Sequence, residues 1–140
     1  MTPRDLYERM RRHWLSGEAA FDLDMLTEDV VVETPFAAPG RPAVTAGREE
    51  VLAYVEAGHA SVPFRFHDCR TIAVHETTDP QTIVVEYELH ATMTATGERG
   101  SAPFIAVLTT RDGRIARWRE YQNPVALAAA MAGSFGDGPA

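Results

Sequence analysis

Three features of the chain predict an α+β fold, in which three N-terminal helices lean into the concave side of a curved antiparallel sheet. Apolar residues recur at helical spacing in the first part of the chain, the period changes to two from Phe64 onward, and Asp112-Gly113 stands as a hairpin signal between two strand-like runs. Helices followed by a long meander define α+β. Strands of a dozen residues must twist and curl, which gives the sheet a cone shape and leaves a pocket between sheet and helices.

Leu6, Met10, His13 and Trp14 follow Thr2-Pro3 at three- and four-residue spacing, so a cap and a first-turn proline precede an amphipathic helix. After Gly17, Ala19 to Leu26 reads as a short second helix stopped at Thr27-Glu28-Asp29, and Val30 to Thr34 has the β-branched density of a strand. A loop from Pro35 to Gly47, with prolines at 35, 39 and 42, is long enough to cover a pocket mouth. It leads to a third helix from Arg48 to Glu56, ended by Gly58. Phe64, Phe66 and Thr71 to His75 form one strand or a bulged pair of segments, Asp79-Pro80 turns the chain, and Thr82 to Thr94 is a long strand. Gly97 to Gly100 turns again, Ser101 to Thr110 is the next strand, and Arg114 to Gln122 returns antiparallel across Arg111-Asp112-Gly113. Pro124 ends that strand, Val125 to Met131 is a short helix, and 133–140 reads as a disordered tail behind a single domain spanning 1–132.

Composition narrows the function. With 140 residues, 45% hydrophobic, the chain holds one domain with one core, and a net charge of -7 with scattered basic residues leaves no basic stripe for nucleic acid or anionic lipid. The lone Cys69 permits no intrachain disulfide, and neither a leader nor a bilayer-spanning run is visible, so a cytoplasmic protein is expected. The lone cysteine, with five histidines that show neither helical pairing nor Cys-x-x-Cys spacing, argues against a structural metal site, and no cofactor is expected for the chemistry inferred below. The expected partners are a small hydrophobic molecule and a second copy of the chain, with no nucleic acid and no membrane. Ile105, Val107, Tyr121 and Tyr87 would supply an apolar patch for a homodimer on the free sheet face.

The most informative stretch runs from Gly113 to Pro124, because it sets a carboxylate, Glu120, among large aromatics in a buried-looking strand. Such a group needs a partner, a watered cavity or a raised pKa, and the last makes a general acid or base that works near neutrality. Glu120 either pairs with Arg117 or Arg119 on the outer face or shares the inner face with Trp118 and Gln122; alternation favours the second. Tyr54 is a candidate phenol donor to a substrate carbonyl or else a core tyrosine. His67 and His90 are candidate bases or orienting groups, or structural residues. Glu86, Glu88 and His90 alternate on one strand face, which is the solvent or dimer side unless the phase is inverted. Asn123 either caps the following helix or binds a ligand. Phe36, Phe64, Phe66, Phe104 and Trp118 build a core, and aromatic walls also suit a flat hydrophobic ligand.

Arg119-Glu120-Tyr121-x-Asn123-Pro124, Gly113, and Leu26-x-x-Asp29 ahead of a strand resemble the SnoaL-like branch of the nuclear transport factor 2-like, ketosteroid-isomerase-type superfamily, whose fold is a cystatin-like α+β barrel. Glu76-Thr77-x-Asp79-Pro80 before a Val-Glu strand adds a similarity to the phenazine-biosynthesis A/B proteins, small dimeric catalysts of imine formation and condensation. The resemblance covers nearly the whole chain up to the tail. It implies that Glu120 is the acid catalyst of the pocket. The helix positions that carry histidine and serine in the phenazine proteins align with Tyr54 and Gly58, which sets this chain apart from them. Neither the tyrosine with paired aspartates of true ketosteroid isomerases nor the Asp-Arg-Asp of limonene-epoxide-type hydrolases can be aligned.

The expectation is therefore a cofactor-independent acid/base catalyst, an isomerase, cyclase, dehydratase or imine-forming enzyme acting on a small hydrophobic carbonyl compound. Glu120, Tyr54, His67 and His90 are its candidate catalytic residues. Trp118, Phe36, Phe64, Phe66, Phe104 and Gln122 are its candidate substrate contacts. A non-catalytic ligand-binding or protein-interaction module on the same fold is the alternative.

Overall fold

The computed structural model describes residues 1–134. Helix α1, Pro3–Ser16, starts where the sequence places a cap: the Asp5 amide donates to the Thr2 hydroxyl at 3.1 Å, and the Thr2 amide donates back to the Asp5 carboxylate at 3.0 Å. Gly17 ends it at φ 83°, a conformation that favours glycine. Leu6, Tyr7, Met10 and Trp14 form its buried stripe.

The expected second helix is absent. Between Ala19 and Leu26 only a 3-10 turn forms, Leu23–Met25. Phe21, Met25 and Leu26 are all buried, but a loop, a turn and a strand deliver them to the core instead of one helix face. Two α-helices thus precede the meander, and the third, α3 (Pro124–Ser134), lies at the C-terminal end. Strand β1, Leu26–Glu33, starts four residues earlier than the β-branched run suggests. Inside the Pro/Gly loop, Val44–Ala46 forms a short strand, β2, paired antiparallel with β1. Helix α2, Arg48–Ser61, continues through Gly58 and ends at Val62.

Strands β3 (Phe64–Glu76), β4 (Thr82–Met93), β5 (Arg99–Arg111) and β6 (Arg114–Gln122) make the expected antiparallel meander. Register shifts in β3 at 66/68 and 71/73 leave His67 and Ile72 as bulge residues, the irregularity that breaks its period. Asp112 and Gly113, at φ 53° and 75°, form the tight turn that Asp-Gly favours between β5 and β6. The sheet order β2-β1-β6-β5-β4-β3 also contains one pairing no local pattern reveals: β1 runs parallel to β6, so the sheet is mixed, not purely antiparallel.

Alternation on β4 decides which side is inner. Ile83, Val85, Tyr87 and Leu89 are buried, whereas Glu86, Glu88 and His90 lie on the opposite, outer face. Tyr87 consequently does not belong to the apolar outer patch; it is fully buried on the helix side. Trp14 of α1 stacks on Tyr87 at 5.3 Å between ring centres and meets Trp118 edge-on at 6.1 Å. Helix α3, Pro124–Ser134, is capped by Asn123, whose side-chain oxygen accepts from the amides of Val125 and Ala126 at 3.1 Å each. Gly133 and Ser134 are helical; the rest of the expected disordered tail lies outside the described residues. Among the described residues no helix is long and apolar enough to cross a membrane.

Candidate functional site: a buried tyrosine, an inward-facing glutamate and an apolar cavity

Glu120 points to the inner face. Strand pairing sets it opposite Ala106 of β5, which in turn faces Val85 of β4. The outer-face alternative fails, because Arg117 donates to Glu33 at 2.5 Å and Arg119 lies over the Tyr121 ring at 5.9 Å. One carboxylate oxygen of Glu120 accepts from the Tyr87 hydroxyl, and the other accepts from the Gln122 amide at 3.0 Å. Burial pushes the Glu120 carboxyl above its ordinary value, against the pull of the Gln122 and Tyr87 hydrogen bonds. Burial, and then the charge of Glu120, push the Tyr87 phenol well above its own. The phenolic proton therefore stays on Tyr87, and the carboxyl is the member of the pair able to exchange its proton.

The pair spans two strands that are not neighbours. With strands about 4.8 Å apart, Tyr87 on β4 must reach across β5 to meet Glu120 on β6. Ala106, fully buried beneath that crossing, has only a methyl group there. Ala106→Leu is expected to force the tyrosine and the glutamate apart and to cost about 1–3 kcal/mol by overpacking. Urea unfolding, with tyrosine ultraviolet absorption as reporter of the pair, checks it; an unchanged spectrum and midpoint would show that the crossing does not depend on a small residue.

An apolar cavity of about 220 Å³ opens farther along the inner face, and neither Tyr87 nor Glu120 is among its lining residues. Phe64, Phe66, Leu89 and Phe104 line it, and Leu127 and Ala129 of α3 cover it. Phe104 joins cavity to pair, since its ring stacks on Tyr87 at 5.4 Å with only 12° between planes. Of the expected ligand contacts, Phe64, Phe66 and Phe104 thus lie on the cavity wall. Gln122 holds Glu120. Trp118 sits in the core against Trp14 and Phe21. Phe36 is away from the cavity, 54% exposed and edge-on to Tyr121 on the outer face.

The other candidate catalytic residues do not converge on Glu120. Tyr54 is 41% exposed on α2, whose buried side presents Val51 to the core. His67 and His90 lie on the outer face with ring centres 6.1 Å apart; His67 shares a hydrogen bond with Thr92 at 2.8 Å, and His90 with Glu88 at 2.6 Å. The sequence reading missed Tyr87 as the partner of Glu120. A signal existed: Tyr87 falls between Glu86 and Glu88, and the acidic alternation that turns those two outward turns the tyrosine inward.

A meander curled over a long N-terminal helix, with an ionisable pair at its centre and a cavity at one end, is the nuclear transport factor 2-like architecture. The chain belongs to the SnoaL-like domain family, whose pattern it matches over residues 6–118. It is 31% identical to the uncharacterized protein YesE of Bacillus subtilis (strain 168) over 114 residues, 80% of this chain and 75% of that one. It is 29% identical to an uncharacterized PhzA/B-like protein of Pseudomonas aeruginosa over 133 residues, 95% of this chain and 92% of the relative. Delta 5-3-ketosteroid isomerase from Mycobacterium sp. has the same fold, with a TM-score of 0.71, 21% identity and coverage of 90% of this chain and 97% of that one.

Proposed function

We propose that the protein is a cofactor-independent acid/base catalyst acting on a small hydrophobic carbonyl compound, by isomerisation, cyclisation, dehydration or imine-forming condensation. The observation that carries this reading is the inward-facing Glu120, raised by burial and held by Tyr87 and Gln122, with Phe104 linking Tyr87 to the aromatic-lined cavity. In the proposed reaction Glu120 removes a proton from the carbon beside the carbonyl and returns it elsewhere on the substrate. Tyr87 turns its hydroxyl toward the developing oxyanion, the role first expected of Tyr54 or a histidine. Gln122 keeps the carboxylate in place, and the phenylalanine walls exclude water.

The test uses a β,γ-unsaturated cyclic ketone, whose conversion to the conjugated enone is followed by ultraviolet absorption. The intact protein is expected to accelerate the conversion, and Tyr87→Phe to lower kcat by about 10²-fold with a smaller change in KM. Neutral behaviour of Tyr87→Phe would remove the tyrosine from the mechanism. One observation favours the competing reading, a hydrophobic-ligand-binding or interaction module: both oxygens of Glu120 are already engaged within the protein. Saturable binding of the ketone without turnover would support that module over the enzyme.

The protein is further proposed to act as a homodimer through the outer-face residues Ile105, Val107 and Tyr121, flanked by the exposed Ile72. Light scattering at micromolar concentration is expected to give twice the chain mass, with Ile105→Glu returning it to the single-chain value. A single-chain mass for the unaltered protein would refute the proposal.

A further inference from the structure

A second concavity lies on the outer face of the sheet, on the opposite side from Glu120. It occupies about 430 Å³ where the end of β4 meets the starts of β3 and β5, and His67, Asp68, Arg70, His90, Arg99 and Ser101 line it. Strand register places its lining residues Asp68, His90 and Ser101 in one row, with Arg99 in the next row beside Thr92 and Arg65 and with Arg70 beside Glu88; Arg65, Thr92 and Glu88 flank the pocket and do not line it. The β3 bulge adds His67 to the middle of the group.

The charges here do not cancel. Asp68 is committed to Arg70 at 3.5 Å and to the Cys69 amide at 2.8 Å, and Glu88 to His90 at 2.6 Å. Arg65 and Arg99 enter no ion pair among the described residues. Two guanidinium groups are thus unmatched at one end of a chain whose net charge is -7. A cation does not suit the place, since among the described residues no three His, Cys, Asp or Glu side chains converge as a metal site. Thr92, whose hydroxyl also hydrogen-bonds His67, shares a row with Arg65 and Arg99, and Ser101 stands in the adjacent row, so that both add neutral hydroxyls.

We propose that this outer-face pocket binds the phosphoryl group of a small phosphorylated molecule. Guanidinium forks match the oxygens of a phosphate in pairs, hydroxyl donors complete a tetrahedral acceptor set, and the space exceeds what a bare ion fills. Glu120 lies on the opposite face of the sheet, although the pocket shares Arg99, Gly100 and Ser101 with the rim of the apolar cavity.

The experiment titrates the intact protein with inorganic pyrophosphate at constant ionic strength, following the imidazole proton resonances of His67 and His90. Saturable shifts of both resonances are expected, and Arg65→Ala with Arg99→Ala is expected to weaken the dissociation constant by about tenfold or more. Glu120→Gln should titrate as the unaltered protein does. Both arginines are exposed, so a retained near-ultraviolet circular dichroism spectrum verifies the fold of the double variant, and Arg99→Glu alone supplies an independent loss. Absence of saturation, an equal response from the double variant, or an equal response to chloride at matched ionic strength would each overturn the proposal.

Discussion

Glu120→Gln is expected to lower kcat for ketone isomerisation by about 10²- to 10⁴-fold while leaving KM within a few-fold, the range associated with loss of a positioned proton-transfer group. Glutamine keeps the shape and can still accept from Tyr87, and the Gln122 amide can rotate to present its oxygen to the new NH₂ group. The change therefore removes the exchangeable proton with little else. Retention of full turnover would exclude Glu120 from the chemistry. The same variant has a signature in stability. The folded carboxyl binds its proton more tightly than the unfolded one, because burial raises its pKa. Stability from this group is complete below the ordinary carboxylate value and falls as pH rises through the raised folded value. Glu120→Gln lacks this contribution, so its urea midpoint is expected to fall less than that of the unaltered protein as pH rises through that window. Parallel pH profiles for the two would show that the folded carboxyl titrates normally.

Trp14→Ala is expected to cost about 3–5 kcal/mol, a large fraction of the total stability of a domain of this size. The indole stacks on Tyr87, meets Trp118 edge-on and touches Tyr7 at 6.4 Å between ring centres, so its removal opens a void under the centre of the sheet. Urea unfolding followed by fluorescence of the remaining tryptophan measures the loss. A cost below about 1 kcal/mol would mean that the aromatic cluster closes over the gap and does not support the pair. Because Trp14 covers Tyr87, the folded variant should also isomerise the ketone more slowly, with the tyrosine no longer held toward Glu120.

What the sequence made legible is what short-range physics controls. Thr2-Pro3 starts α1 and Asp112-Gly113 turns the chain because each acts on its own backbone, and the bounds of β6 follow from that turn and from Pro124. Glu120 could be placed inward because Trp118 shares its phase. The second helix failed because Phe21, Met25 and Leu26 meet helical spacing by chance of position, while a loop, a 3-10 turn and a strand carry them into the core. Phe36 was taken for a wall on aromatic character alone, yet the loop that carries it folds over the outer face. Tyr54 on α2 and the histidines of the outer face fell to the same cause: residue type suggests chemistry, and only long-range packing sets which residues meet. The crossing over Ala106 was not readable, since the meander order of β4, β5 and β6 was expected but the register that sets Tyr87 diagonally across from Glu120 has no local trace.

The parallel pairing of β1 with β6 also bears on how the chain acquires its structure. Val31 lies beside Arg117, and Val32 beside Trp118, so the first long strand meets its central neighbour only after almost the whole meander has been made. Such distant pairings carry a large loop-closure cost before they gain any contact, which slows folding. During synthesis β1 has only the three-residue β2 along one edge, leaving its other edge uncovered until β6 leaves the ribosome. That interval exposes an unpaired strand edge bearing Val30, Val31 and Val32, the kind of surface that other nascent chains and chaperones engage.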